Sequence, residues 1–163
     1  MSVELFRIDD RLIHGQVVVG WGQPLEINFI VLVDDEVAES DWEQDLYRMG
    51  VRSEVEVYFD TLELAVENLP DYLADARRGI VLTGGIETMR QLAERSGRVE
   101  RVNLGGLHHR PGRMERLRYV FLTREEEDEL RALAASGVEV TAQDVPTATP
   151  VPLNVVLDGA SGR

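Results

Sequence analysis

Two periodicities alternate along this chain. Unbroken apolar runs, as in strands buried on both faces, give way to segments whose apolar positions recur every three or four residues, as in amphipathic helices. Val3–Ile8 is a β-type run that ends in Asp9-Asp10, and residues 27–33 form another, closed by Asp34-Asp35. Residues 55–59, 80–83, 99–104 and 138–142 read as further strands, with a shorter apolar piece at 119–122. Between them, Val17, Val18 and Trp21 share one face of a short helix over 14–21, and Trp42, Leu46 and Met49 stand at helical spacing within 40–49. Leu62, Leu64, Ala65, Val66 and Leu69 mark a third helix, with Asp60 or Thr61 as its N-cap. Met89, Leu92 and Ala93 mark a fourth. Thr123 caps a fifth over Arg124–Ala135, where Glu125 and Glu126 lie near the positive end of the helix dipole. The tail from Pro146 is proline-rich, and residues 153–157 are expected to dock a last short element.

Strands alternating with helices, each near the length of a βα unit, predict an α/β fold built on a parallel open sheet. No linker, repeat or low-complexity stretch interrupts it, so residues 1–158 are expected to form a single domain and 159–163 a disordered tail. In such sheets ligands bind beyond the carboxyl ends of the strands. Three of the expected strand ends carry polar or glycine-rich loops, at 9–14, 83–85 and 103–118. If the three share one edge of the sheet, all three histidines, His14, His108 and His109, converge there.

Composition narrows the chemistry. The formal net charge is −13, which disfavours nucleic acid and an anionic membrane surface as partners. No apolar run approaches the roughly 18 residues of a membrane span, and the first residues lack the pattern of a signal peptide. Cysteine is absent, so there is neither a disulfide framework nor a thiolate metal site; a cytoplasmic location is expected. All 17 basic residues are arginine.

Against that acidic background, residues 103–118 hold four arginines (Arg110, Arg113, Arg116, Arg118) and two histidines with one acid, Glu115. Gly105 and Gly106 would let backbone N–H groups approach an anion, and arginine forks match phosphate oxygens. The alternative is a solvated loop that balances nearby acids. The 9–14 loop puts Arg11 three residues before His14, just before the start of the expected short helix. A phosphoryl group on His14 would sit near that start, with Arg11 to neutralise it. Asp9 or Asp10 would accept from the imidazole and fix its tautomer. A metal site from His14, His108, His109 and an aspartate is disfavoured because adjacent histidine side chains diverge. No nucleophile elbow, lysine phosphate loop or dinucleotide fingerprint occurs.

The run Arg7-Ile8-Asp9-Asp10-Arg11-Leu12-Ile13-His14-Gly15-Gln16-Val17, with Trp21 just after, resembles the active-site signature of IIB components of mannose/fructose/sorbose-family phosphotransferase systems. Asn103-Leu104-Gly105-Gly106-Leu107-His108, followed by Pro111-Gly112-Arg113, resembles the family's second glycine loop, and residues 31–36 and 80–83 fit its strand ends. The similarity spans roughly residues 3–157. It implies an open, mainly parallel sheet of about seven strands with helices on both faces. It implies a protein-Nπ-phosphohistidine–sugar phosphotransferase with no cofactor and no metal. His14 would take a phosphoryl group on Nδ1 from the IIA component and pass it to a sugar held by the IIC/IID membrane components. Arg11 and Asp10 would assist, and Gly15, Gln16, Thr83, Gly84, Gly105, Gly106, His108 and Arg110 would surround the phosphate. Transfer between proteins implies a docking patch around Leu12, Ile13 and Trp21, with a core role for Ile13 equally open. Two features depart from the family pattern: Arg113 stands where lysine is common, and residues 146–163 are unusually rich in proline. A regulatory phosphohistidine protein without sugar transport would share the chemistry at His14; a phosphate-binding domain without a covalent step is the remaining alternative.

Overall fold

A computed structural model of the chain describes residues 2–158. The apolar runs become strands β1 (Val3–Ile8), β2 (Phe29–Val33), β3 (Glu56–Asp60), β4 (Gly79–Thr83), β5 (Arg101–Leu104) and β8 (Glu139–Ala142). With the two-residue β9 (Val151–Pro152) they form a seven-stranded sheet in the order β3-β2-β4-β1-β5-β8-β9. Every pairing is parallel except β8 with β9. All five residues of β2 and all five of β4 are buried, as expected of strands covered on both faces.

Successive residues of a strand point to opposite faces, so each central strand feeds two cores. Phe29, Val31, Val33 and Val81 join the core beneath helices α3 (Leu62–Ala74), α4 (Ile86–Ser96) and α5 (Arg124–Ala135). Ile30, Leu32, Ile80 and Leu82 join the core on the other face, with Val17, Trp21 and Val37. The last of these lies on the one-turn α1 (Asp35–Ala38), and the chain's final helix is α6 (Leu153–Asp158), whose Val156 is buried in the first core.

Thr61 is the cap of α3, its hydroxyl accepting from the Leu64 N–H at 3.1 Å. Thr123 and Glu126 form a reciprocal capping box at α5, Thr123 Oγ1 accepting from the Glu126 N–H and Glu126 Oε1 from the Thr123 N–H, both at 3.0 Å. The short helix expected over 14–21 is a π-helical turn, Gln16–Trp21, with Val17 and Trp21 buried. A hairpin of β6 (Met114–Leu117) and β7 (Val120–Leu122) forms a separate two-stranded sheet; Glu115 and Arg116 between Met114 and Leu117 give β6 no strand-like pattern. The tail expected over 159–163 falls outside the described residues.

Helix α2 (Asp41–Met49) turns its apolar stripe outward: Trp42, Leu46 and Met49 are 70, 57 and 82 % exposed. Its inner side is polar and aromatic. Gln44 Nε2 donates to the Val37 and Ala38 carbonyls at 3.0 and 3.1 Å, and Tyr47 packs on Phe59 at 6.4 Å between ring centres. Helical spacing identifies an amphipathic helix but not which side faces inward. A contrast in unfolding follows: Leu130→Ala, in the α5 core, should lower denaturant stability by about 2–5 kcal/mol, and Leu46→Gln by no more than about 0.5 kcal/mol.

Candidate functional site

β1 lies between β4 and β5, so the loops at the three carboxyl ends are neighbours. Backbone hydrogen bonds tie them together: the Asp9 N–H donates to the Thr83 carbonyl at 2.9 Å, Asp10 N–H to Gly106 at 2.9 Å, and Gly105 N–H to Ile8 at 2.7 Å. Leu12 then adopts a positive φ of 61°, a left-handed turn that costs an L-residue about 1–2 kcal/mol. That turn brings the chain back, so that His14 lies over Asp9. Leu12 packs against the backbone of Gly84, where an added Cβ would come within 2.7 Å of it.

Asp9 is fully buried and organises the site. Its Oδ1 accepts from the Arg11 N–H at 3.1 Å, and its Oδ2 from Arg7 Nη2 at 3.2 Å and the Gly106 N–H at 3.3 Å. His14 Nε2 stands 3.1 Å from the same Oδ2, off the ideal hydrogen-bond line. His14 Nδ1 accepts from the Gln16 N–H at 3.3 Å, and the ring keeps 17 % of its surface exposed. Asp10, the other aspartate the sequence offers for this role, has a different partner: its Oδ1 lies 2.6 Å from His108 Nδ1, and its Oδ2 accepts from the His108 N–H at 2.8 Å and Arg113 Nη1 at 3.2 Å.

Burial alone would raise the Asp9 carboxyl. The His14 imidazole at 3.1 Å, the charge of Arg7 and the Arg11 N–H outweigh it and hold the group below its ordinary range. Asp10 shows the same balance, with burial opposed by His108 and Arg113. Arg7 is buried beneath the site. Desolvation lowers its pKa against the pull of Asp9 and Asp144. Its guanidinium donates to Asn103 Oδ1 and to the Gln143 and Asp144 carbonyls, the latter two at 2.9 and 3.2 Å, and stacks on Trp21 at 5.1 Å.

The remaining expected residues separate by position. Gln16 lies beside His14; its Oε1 accepts from Arg11 Nη2 at 2.7 Å. Gly15 is open, with no atom within 4 Å of where a Cβ would be. Gly105 makes room for the Arg7 guanidinium, and Gly106 for the His108 ring. The buried Thr83 hydroxyl donates to the Gly85 carbonyl at 2.9 Å and so braces the neighbouring loop. Arg110 is exposed, 3.9 Å from Asp10. Two of the three histidines face the paired aspartates, His14 against Asp9 and His108 against Asp10. His109 does not; its ring packs edge-on against Phe121 at 5.8 Å. Of the loop arginines, Arg113 bridges Asp10 and Glu126, and Arg116 is engaged elsewhere, with Glu127. Ile13 and Trp21 are core residues, so of the expected docking trio only Leu12 is partly exposed. Asp144, which the sequence reading passes over, reaches the site from the end of β8 and accepts from Gln16 Nε2 at 2.8 Å. No local pattern marks it. Among the described residues no group of three or more His, Asp or Glu side chains is placed to hold a metal ion, and no helix is long and apolar enough to cross a membrane.

An open parallel sheet that sets a half-covered histidine and an arginine on the loop of a central strand is a frame for handling an anion at a sheet edge. Residues 3–162 match the family model described as "PTS system sorbose subfamily IIB component", and the chain belongs to that family of sugar phosphotransferase components. It is 33 % identical over 148 residues to the N-acetylgalactosamine-specific phosphotransferase enzyme IIB component 1 of Escherichia coli, covering 89 % of this chain and 92 % of that one. It is 30 % identical over 152 residues to the mannose-specific EIIAB component of the same bacterium, covering 90 % of this chain and 46 % of that longer one. The crystal structure of the IIBSor domain of the sorbose permease from Klebsiella pneumoniae superposes with a TM-score of 0.86 at 26 % identity, over 97 % of this chain and 98 % of that one.

Acid should reveal the two aspartates. Both folded carboxyls lie below their ordinary value of 3.8, so the stability they contribute is complete above that value and is lost as pH falls through the folded values. In urea unfolding followed from pH 7 to pH 3, Asp9→Asn and Asp10→Asn should start below wild type and lose less stability over the acid end of that range.

Proposed function

We propose that this IIB component carries its phosphoryl group on His14 Nδ1, taking it from a phosphohistidine of a IIA component and delivering it to a sugar held by IIC/IID membrane components. The observation that carries the reading is the setting of the ring. Asp9 faces Nε2, which keeps the proton there and turns the Nδ1 lone pair to the Gln16 N–H, on a ring that retains 17 % of its surface exposed. The name of the EIIAB relative, which joins A and B components in one chain, supports a IIA donor.

In the first transfer the donor N–P bond breaks as the bond from phosphorus to His14 Nδ1 forms. The Nε2 proton stays against Asp9, which holds the ring and offsets the positive charge that arises on it. In the second transfer the Nδ1–P bond breaks, an O–P bond forms to a sugar hydroxyl, and the hydroxyl proton passes to a base of the sugar-binding component. Both steps depend on in-line placement and on neutralising the three equatorial oxygens. The Gln16 N–H at Nδ1 and the Arg11 guanidinium held by Gln16 are suited to that task, and His108 and Arg110 beside Asp10 are further candidates.

The test is incubation with phosphoenolpyruvate, the general phosphotransferase proteins and a competent IIA, followed by intact mass. Wild type should gain one acid-labile, base-stable phosphoryl group, and His14→Ala none. Arg11→Ala should fold normally and label more slowly, by roughly tenfold or more. Wild-type protein that stays unlabelled, or Arg11→Ala at the wild-type rate, would overturn the account of the site.

A further inference from the structure

Arg11 has a long side chain, 48 % exposed, on a surface loop. Such a group ordinarily samples many rotamers, and ordering it for an incoming phosphoryl group costs entropy. Here its guanidinium is already held. Nη2 donates to Gln16 Oε1 at 2.7 Å, and Gln16 Nε2 donates to Asp144 Oδ1 at 2.8 Å. Only one orientation of the Gln16 amide satisfies both partners, because Arg11 has nothing but donors to offer and the Asp144 carboxylate nothing but acceptors. Asp144 is itself fixed through its backbone. Its carbonyl accepts from Trp21 Nε1 at 3.0 Å and from Arg7 Nη2 at 3.2 Å. Beside it, Gln143 Nε2 donates to the Pro146 and Ala148 carbonyls at 3.2 and 2.8 Å, which secures the segment between β8 and β9.

We infer that Asp144 is a positioning residue for phosphoryl transfer: through Gln16 its carboxylate holds Arg11 in the place where the phosphoryl oxygens arrive. The inference rests on the phosphocarrier reading of His14. Asp144 does not touch the phosphoryl group in this scheme. It gains its effect by orienting the Gln16 side chain, which holds Arg11. The proline-rich segment that follows thereby has a task at the site: it anchors the far end of the chain of hydrogen bonds.

The experiment is a double-mutant cycle on the rate of His14 labelling by phospho-IIA, with Asp144→Ala, Arg11→Ala and the pair, and Asp144→Asn as the conservative variant. Thermal melts establish that each is folded; the backbone carbonyl of residue 144 keeps its contacts in all of them. Asp144→Ala should lower the maximal labelling rate roughly tenfold, in the range that outer partners of a reacting group usually cost, with the half-saturating IIA concentration unchanged. In the Arg11→Ala background the same change should have no further effect. Asp144→Asn, whose Oδ1 still accepts from Gln16, should recover most of the rate. Additive losses, or Asp144→Ala at the wild-type rate, would overturn the inference and leave His14 untouched as carrier. Wild-type protein that takes no label would overturn the carrier reading and this inference with it.

Discussion

The buried pairing of Arg7 with Asp9 is the interaction on which the candidate site depends. Two residues apart at the carboxyl end of β1, they turn one end of a hydrophobic strand into the floor of a polar pocket. A guanidinium without solvent is tolerable only if its charge and most of its donors are met, and two other strand ends meet both Nη groups: Asn103 from β5, and the carbonyls of Gln143 and Asp144 from beyond β8. Gly105 is small for the same reason, since any side chain there would overlap Arg7. Asp9 is then a carboxylate whose charge is fixed by its surroundings and whose remaining contacts, the Gly106 and Arg11 N–H groups and His14 Nε2, define the loop above it. Fold and chemistry share these atoms.

Much of this is legible in the chain. The apolar runs of β2 and β4 name themselves as central strands, and β1 ends where its acids begin. Thr123 with Glu126 announces the start of α5. What stays hidden is direction and distance. Asp9 and Asp10 are adjacent and alike, yet they hold different histidines, and nothing in the pattern says which is which. Residues 108 and 109 are both histidine, but consecutive side chains leave the main chain on different sides, so one reaches Asp10 and the other Phe121. The Gln16–Asp144 contact joins residues 128 positions apart and follows no periodicity. In β6, Met114 and Leu117 are separated by Glu115 and Arg116, so neither a continuous apolar run nor an alternation reveals the strand.

The family assignment and the geometry meet at the same loop without being the same statement. Membership in the sorbose subfamily of IIB components comes from the match across nearly the whole chain. The arrangement of Asp9, His14, Gln16 and Arg11 is the physical support for the carrier role proposed for His14: one ring nitrogen faces a buried carboxylate, and the other accepts from the N–H of a residue whose side chain holds a cation.

Glu126 belongs to two structures at once. Its Oε1 closes the capping box of α5 on the Thr123 N–H and also accepts from Arg113 Nε at 2.9 Å, while Arg113 Nη1 reaches Asp10 and the His108 carbonyl at 3.2 and 2.8 Å. The helix start and the second histidine are therefore a single mechanical part. A chimera that exchanged α5 for another well-capped helix, with aspartate or serine at position 126, could keep the fold's stability and still release the His108 loop, so any transplant among relatives has to move the helix and the loop together.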